Sequence, residues 1–169
     1  MKQSSDLIEL SELAAVCAKE LAGPIAQAGS MVQETLEQGG AIFFCGNGGS
    51  AADAQHLAAE YVIRFKRARG PLRAMALTTD TSVLTAGAND FSFGDVFARQ
   101  VEALARGGDL FLSTPPAESR KTSFGRLRHT VDLALVIPTE SVARAQELHL
   151  AIGHMICERV DRHFAEVSS

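Results

Sequence analysis

The chain has 169 residues, 46% of them hydrophobic, and a formal net charge of −4. That length suits one soluble domain with an ordinary core, and that charge argues against a nucleic-acid binder. No run approaches the roughly 20 apolar residues that span a bilayer, and the start, MKQSSDLIEL, lacks the apolar core of a signal peptide, so a cytoplasmic protein is expected. Three cysteines, Cys17, Cys45 and Cys157, lie far apart without a CxxC, which makes them buried thiols rather than a disulfide framework or a zinc knuckle.

Residues 6 to 38 carry apolar side chains at helical spacing, among them Leu7, Leu10, Leu13, Cys17 and Leu21, then Ile25, Met31, Val32 and Leu36. Gly23 and Pro24 divide them into two predicted helices, and Gly39 and Gly40 end the second. A leading helix with a broad apolar stripe often packs on another subunit.

The stretch AIFFCGNGGSAADAQHLAAEYVIRF, residues 41 to 65, organises the rest. Ile42 to Cys45 reads as a strand buried on both faces, too short for a helix. Gly46, Gly48 and Gly49 then give a loop whose backbone can approach a ligand closely. Asn47 and Ser50 add side-chain donors beside the free N–H groups of a helix start, with Ser50 as the expected N-cap. An anionic ligand fits there. In the helix that follows, Asp53, His56, Glu60 and Arg64 recur at spacings of three, four and four and share one face. His56 and Glu60 could share a metal; the alternative is a solvated face with an i,i+4 pair.

The basic turn KRARGPLR, read as mostly solvated surface, leads to a second strand in AMALTT, residues 74 to 79. Thr78 to Ser82 forms a hydroxyl-rich loop at its carboxyl end, where open parallel sheets bind ligands. A short helix over roughly 82 to 86 leads to Asn89 and Asp90, a turn or a ligand contact. A longer helix spans Phe93 to Ala105, and DLFLST, residues 109 to 114, makes a third strand. DLALVIP, residues 132 to 138, is the expected fourth strand, after an irregular crossover over 115 to 130. A helix from about Glu140 to Phe164 closes the chain and carries Gln146, His149 and His154. The alternation predicts a doubly wound α/β sheet of four parallel strands.

Four stretches in the right order, CGNGGSAADAQH with Glu60, ALTTDTSVLTAGAND, FARQVEALARGGDL and ARAQELHLAIGH, resemble the phosphoheptose isomerases of the sugar-isomerase (SIS) fold. The resemblance implies a single flavodoxin-like SIS domain: helices over 1–40, an α/β core over 41–138 and a C-terminal helix over 139–169. It implies conversion of sedoheptulose 7-phosphate to D-glycero-D-manno-heptose 7-phosphate, in a homotetramer with active sites at subunit boundaries. His56, Glu60, Gln146 and His154 match the family's zinc site, and Glu60 with His154 matches its acid/base pair. Asn47, Gly48, Ser50, Asp90, Ser113, Thr114 and Gln146 match its substrate contacts. The family's second phosphate loop, STSGNS, is here Ser113-Thr114-Pro115-Pro116-Ala117-Glu118-Ser119, with two prolines that lack N–H groups, and the chain reads one βα unit shorter than the family. The rival reading is a non-catalytic SIS relative that senses a phosphosugar or binds a replication-initiation protein.

The residue types suit the chemistry on their own terms. An aldose–ketose exchange moves one proton between adjacent carbons and another between their oxygens, through an enediol. A carboxylate can take the carbon-bound proton, and an imidazole titrating near neutrality can serve the oxygens or the other carbon.

Overall fold

The computed structural model describes residues 2–113, 133 and 135–167. Two helices come first, α1 (Lys2–Glu20) and α2 (Ala22–Glu37). They divide at Leu21, slightly before the predicted Gly23-Pro24, because a proline in the first turn gives up an N–H that has no helical partner there. Then come β1 (Ile42–Cys45), α3 (Gly49–Val62), β2 (Ala74–Ala76) and α4 (Thr81–Asp90). A 3₁₀ turn (Phe93–Asp95) opens α5 (Val96–Leu104), followed by β3 (Leu110–Ser113) and α6 (Val142–Val167).

The sheet is parallel in the order β2-β1-β3, with Ile42 opposite Ala74 and Leu110, and Cys45 opposite Ser113. Every residue of β1 is buried, as its unbroken apolar run requires. Ile42 and Phe44 face a core shared with α2, α3 and α6, whereas Ala41, Phe43 and Cys45 face a second core with α4 and α5. Helices thus cover both faces. The chain leaves β1 toward β2 on one side and reaches β3 on the other, so the carboxyl end of β1 is the topological switch point. All three cysteines are buried and unpaired, as expected.

Four expectations need correction. The fourth strand does not form among the described residues of 132–138: Leu133, Leu135 and Ile137 pack into the core without joining the ladder. Apolar runs report burial, and only a ladder partner makes a strand. Second, α4 runs on through Asn89 and Asp90, started by Asp80, whose Oδ1 accepts the Val83 N–H at 3.0 Å. Third, α3 begins at Gly49 with Gly48 as its N-cap, because Gly48 takes φ +58° and closes the turn before Ser50. Fourth, part of the basic turn is interior: the Arg69 side chain is 2% exposed. The crossover expected over 115–130 lies outside the described residues.

Helices α3 and α6 lie side by side and run parallel. Gly49 meets Gln146, Leu57 meets Gly153, and Tyr61 meets Cys157. At their far end Asp161, 1% exposed, binds the strap that leaves α3. Its Oδ2 accepts the N–H groups of Lys66 (3.1 Å) and Arg67 (2.8 Å), and its Oδ1 accepts Arg69 Nε at 3.1 Å. Burial penalises the Asp161 charge, but those backbone donors and the Arg69 guanidinium outweigh it and hold the carboxyl below its ordinary range. Arg69 also caps α3, donating to the carbonyls of Glu60 (2.6 Å) and Tyr61 (2.8 Å).

Beside it, hydrogen bonds from Lys66 and Arg67 bring the Glu158 carboxyl down to about 2 from an ordinary 4.5. A lowered folded-state value stabilises the fold above the unfolded value, and that contribution is lost as pH falls through the folded one. Thermal unfolding between about pH 4.5 and pH 2 is therefore expected to lose stability with a component that Glu158→Gln removes. An unchanged acid slope in Glu158→Gln would refute it.

Candidate active site

The strand–loop–helix turn at the end of β1 forms one wall. Ser50 N–H bonds Asn47 O and Ala51 N–H bonds Gly48 O, both at 3.1 Å, which folds the loop back onto the first turn of α3. The Ser50 side chain is fully buried and its Oγ has no hydrogen-bond partner. Ser113 reaches the same edge through its pairing with Cys45, and its buried hydroxyl turns toward the Cys45 thiol. An unsatisfied, fully buried hydroxyl in the first turn of a helix is a polar group wanting an acceptor.

The second wall is α6. A Cβ added to Gly49 would lie 2.6 Å from Gln146 Nε2, so the glutamine amide sits directly over the loop. His154 follows eight residues later, about 12 Å along the helix axis. There its Nε2 meets the Nε2 of His56 at 2.8 Å, with the rings edge to face at 69°. Glu60, one turn beyond His56, places Oε1 3.5 Å from the same His56 nitrogen. Donor atoms of His56, Glu60 and His154 all lie within 4.8 Å of one another. Facing Nε2 atoms at hydrogen-bond distance can share one proton or one cation; two N–H groups cannot point at each other.

That trio offers two imidazole nitrogens and a carboxylate oxygen, the donor types of a zinc-class cation, so the residues fit a metal. Glu60 and His154 already meet within a single chain. Gln146 is placed at the loop, two helical turns from His154. Asp90 is not brought to this group: it ends α4 on the opposite face of the sheet, where its Oδ1 accepts from Asn89 Nδ2 at 2.8 Å. Asn47 and Gly48 belong to the loop itself, and Thr114 lies outside the described residues. His149 packs inward, and burial lowers its imidazole against the opposing hydrogen bond that it donates to the Leu135 backbone carbonyl.

The sequence reading puts Asp53 on the polar face of α3 without a role, and two further residues, Phe65 and Asp161, escape it. Asp53 shares the polar face of α3; burial raises its carboxyl, the nearby His56 opposes this, and its Oδ2 has no partner. Its spacing with His56 was the available signal. Phe65 stacks on His154 with ring centres 5.4 Å apart at 26°, and Asp161 pins the strap that carries it. Nothing in the local sequence announces either.

The imidazoles meet because the helices approach closely at Gly153, where a Cβ would lie 2.6 Å from Leu57 Cδ2. Leu57 is 4% exposed and held in the core, so its tip has little room to retreat. Gly153→Ala is expected to destabilise the fold by about 1–3 kcal/mol in urea titration; no loss would show that the seam yields freely.

Residues 8–114 match the SIS domain family. A phosphoheptose isomerase from Roseiflexus sp. (strain RS-1) is 45% identical over 156 residues, 80% of this chain and 79% of its own length. One from Paramagnetospirillum magneticum is 41% identical over 92% of both chains. Among solved structures, phosphoheptose isomerase GmhA from Neisseria gonorrhoeae superposes with a TM-score of 0.80 at 33% identity, covering 95% of this chain and 97% of its own. A phosphoheptose isomerase from Francisella tularensis gives 0.84 at 30% identity with the same coverage. The chain belongs to the SIS domain family and, within it, to the phosphoheptose isomerases.

Proposed function

We propose that this protein converts sedoheptulose 7-phosphate to D-glycero-D-manno-heptose 7-phosphate, in heptose biosynthesis, with Glu60 and His154 as the proton-transfer pair. The observation that carries the assignment of roles is the convergence of Glu60 and His56 with the distant His154 beside a glycine-rich loop that holds the orphaned Ser50 hydroxyl. A sensor or a protein-binding relative has no need of that convergence.

The substrate phosphate lies against the loop, taken by the backbone at Gly48 and the side chains of Asn47, Ser50, Ser113 and Thr114, with Gln146 on the sugar; Asp90, on the other face of the sheet, has no part within this chain. Glu60 removes the proton from C1 of the ketose and leaves an enediol. His154 carries a proton from the C1 oxygen to the C2 oxygen, and the protonated Glu60 returns its proton to C2, which gives the aldose and restores the carboxylate. No electrons leave the substrate, so no redox partner is called for. His56 pairs with His154 at 2.8 Å through Nε2 on both rings, so one of the two nitrogens donates and the other accepts. Zinc is the metal we assign to His56, Glu60 and His154, with Gln146 held away at the loop in this structure, and when bound it would supply Lewis-acid polarisation of the carbonyl. Glu60 faces His56 through Oε1, which leaves Oε2 for the substrate proton.

Incubation of purified chain with sedoheptulose 7-phosphate, with and without added zinc, is expected to yield the aldose. Glu60→Gln should slow turnover about 10²–10⁴-fold while zinc stays bound. Undiminished turnover would eliminate Glu60 as the base.

We assign a homotetramer with active sites at subunit boundaries. Leu7 and Ile8 on α1 are 70% and 58% exposed, and Ile63 at the end of α3 is 70% exposed, apolar area that a second subunit would cover. Sedimentation is expected to give four times the 18.0 kDa chain mass; a monomer at micromolar concentration would exclude it. A cytoplasmic location suits a phosphorylated substrate that cannot cross a bilayer unaided. No helix among the described residues is long and apolar enough to cross a membrane.

A further inference from the structure

We propose that Phe65, held in place by Asp161, is the residue that orients the His154 ring for proton transfer. The role rests on the isomerase reading above. A histidine ring on a helix keeps a broad terminal torsion unless its surroundings restrict it. Here two contacts at different angles do so. His56 approaches His154 nearly edge to face, at 69°, and Phe65 covers it nearly parallel, at 26°. Neither contact alone specifies a ring plane, but together they leave one orientation in which His154 Nε2 faces the His56–Glu60 group.

Phe65 comes from the strap after α3, and three anchors fix that strap. Asp161 accepts the N–H groups of the next two residues, Lys66 and Arg67. Arg69 joins Asp161 to the carbonyl of Glu60, so one guanidinium ties the anchor of Phe65 to the backbone of the proposed base. Lys66 Nζ lies 5.0 Å from the centre of the Phe65 ring and 2.6 Å from Glu158 Oε2, which ties the ring from its own neighbour as well. Asp161 and His154 lie on the same helix, so the strap hangs from the element whose side chain it orients. A residue filling space alone would need only apolar volume at position 65. An aromatic face parallel to an imidazole is a more specific demand.

The test separates volume from the ring. Phe65→Leu keeps apolar bulk and removes the face, whereas Phe65→Tyr keeps the face. With sedoheptulose 7-phosphate and the zinc-loaded protein, Phe65→Leu is expected to lower kcat about 10-fold or more, since small misplacements of a reacting group cost up to about 10²-fold. KM should stay within about twofold, and Phe65→Tyr should recover kcat to within about threefold of the unmodified chain. Independently of turnover, the His154 ring protons should carry the ring-current shift of Phe65 in NMR spectra of the metal-free chain, and lose it in Phe65→Leu. Phe65→Met serves for both measurements should Phe65→Leu fail to fold by circular dichroism.

Full kcat in the leucine or methionine variant, failure of tyrosine to rescue, or His154 resonances indifferent to the substitution would each overturn the role. An unmodified, zinc-loaded chain without any turnover would overturn the isomerase reading and this role with it. Turnover in the unmodified chain that persists in Phe65→Leu overturns the role alone.

Discussion

A carboxylate cut off from water remains charged only if donors replace the water it has lost, and Asp161 meets that condition at the far end of the α3–α6 pair. Its partners come from one short strap: the backbone N–H groups of Phe65, Lys66 and Arg67, the Arg69 guanidinium and, at 3.6 Å, that of Arg67. The path of the chain between α3 and β2 is therefore dictated by a charge on the last helix, almost a hundred residues away. Moving α6 along α3 by one turn would strand that charge, so the two helices have one permitted register. The same guanidinium occupies the last carbonyls of α3, where the helix most needs a cation.

The chemistry inherits that register. His56 and Glu60 belong to the first helix after the sheet begins and His154 to the final one, yet their donor atoms converge to within 4.8 Å. The close approach at Gly153 sets how near the rings come, and the clasp at Asp161 sets how far along they meet. The other face of the sheet contributes rigidity. Phe43, Cys45, Leu77, Val96 and Phe97 close the second core beneath β1, so the glycine-rich loop springs from a strand packed on both sides. Burial pushes the Cys45 thiol up to about 12, which makes it filler rather than reagent.

Much of this was legible in the sequence wherever a local pattern carried the information. The four-residue run at β1, the glycines after it and the 3–4 spacing on α3 identified strand, loop and functional face without a partner in view. The ends of elements were less legible. Gly48 displaced Ser50 as the cap of α3 through a backbone angle that composition does not reveal, and Asn89-Asp90 read equally as a turn or as the last turn of α4. The expected fourth strand does not form among the described residues for a different reason: hydrophobicity in Leu133, Leu135 and Ile137 reports burial, while strand identity depends on a neighbouring ladder. Asp161 and Phe65 were invisible for the same kind of reason, because their meaning lies entirely in contacts with distant residues. Arg69 illustrates it best, since a basic turn on paper became an interior cap once Asp161 was near.

The parallel course of α3 and α6 has an electrostatic consequence. Gln146, in the second turn of α6, lies against the first residue of α3, so the positive ends of two helix dipoles are lodged side by side. Dipoles aligned in this way repel, and at the opposite end of α3 Arg69 relieves the matching accumulation of negative charge. No side-chain anion does the same at the loop end among Gly46, Asn47, Gly48, Gly49 and Ser50. A phosphate group at that loop would therefore meet the positive ends of both helices at once, on the pair that carries the reacting side chains.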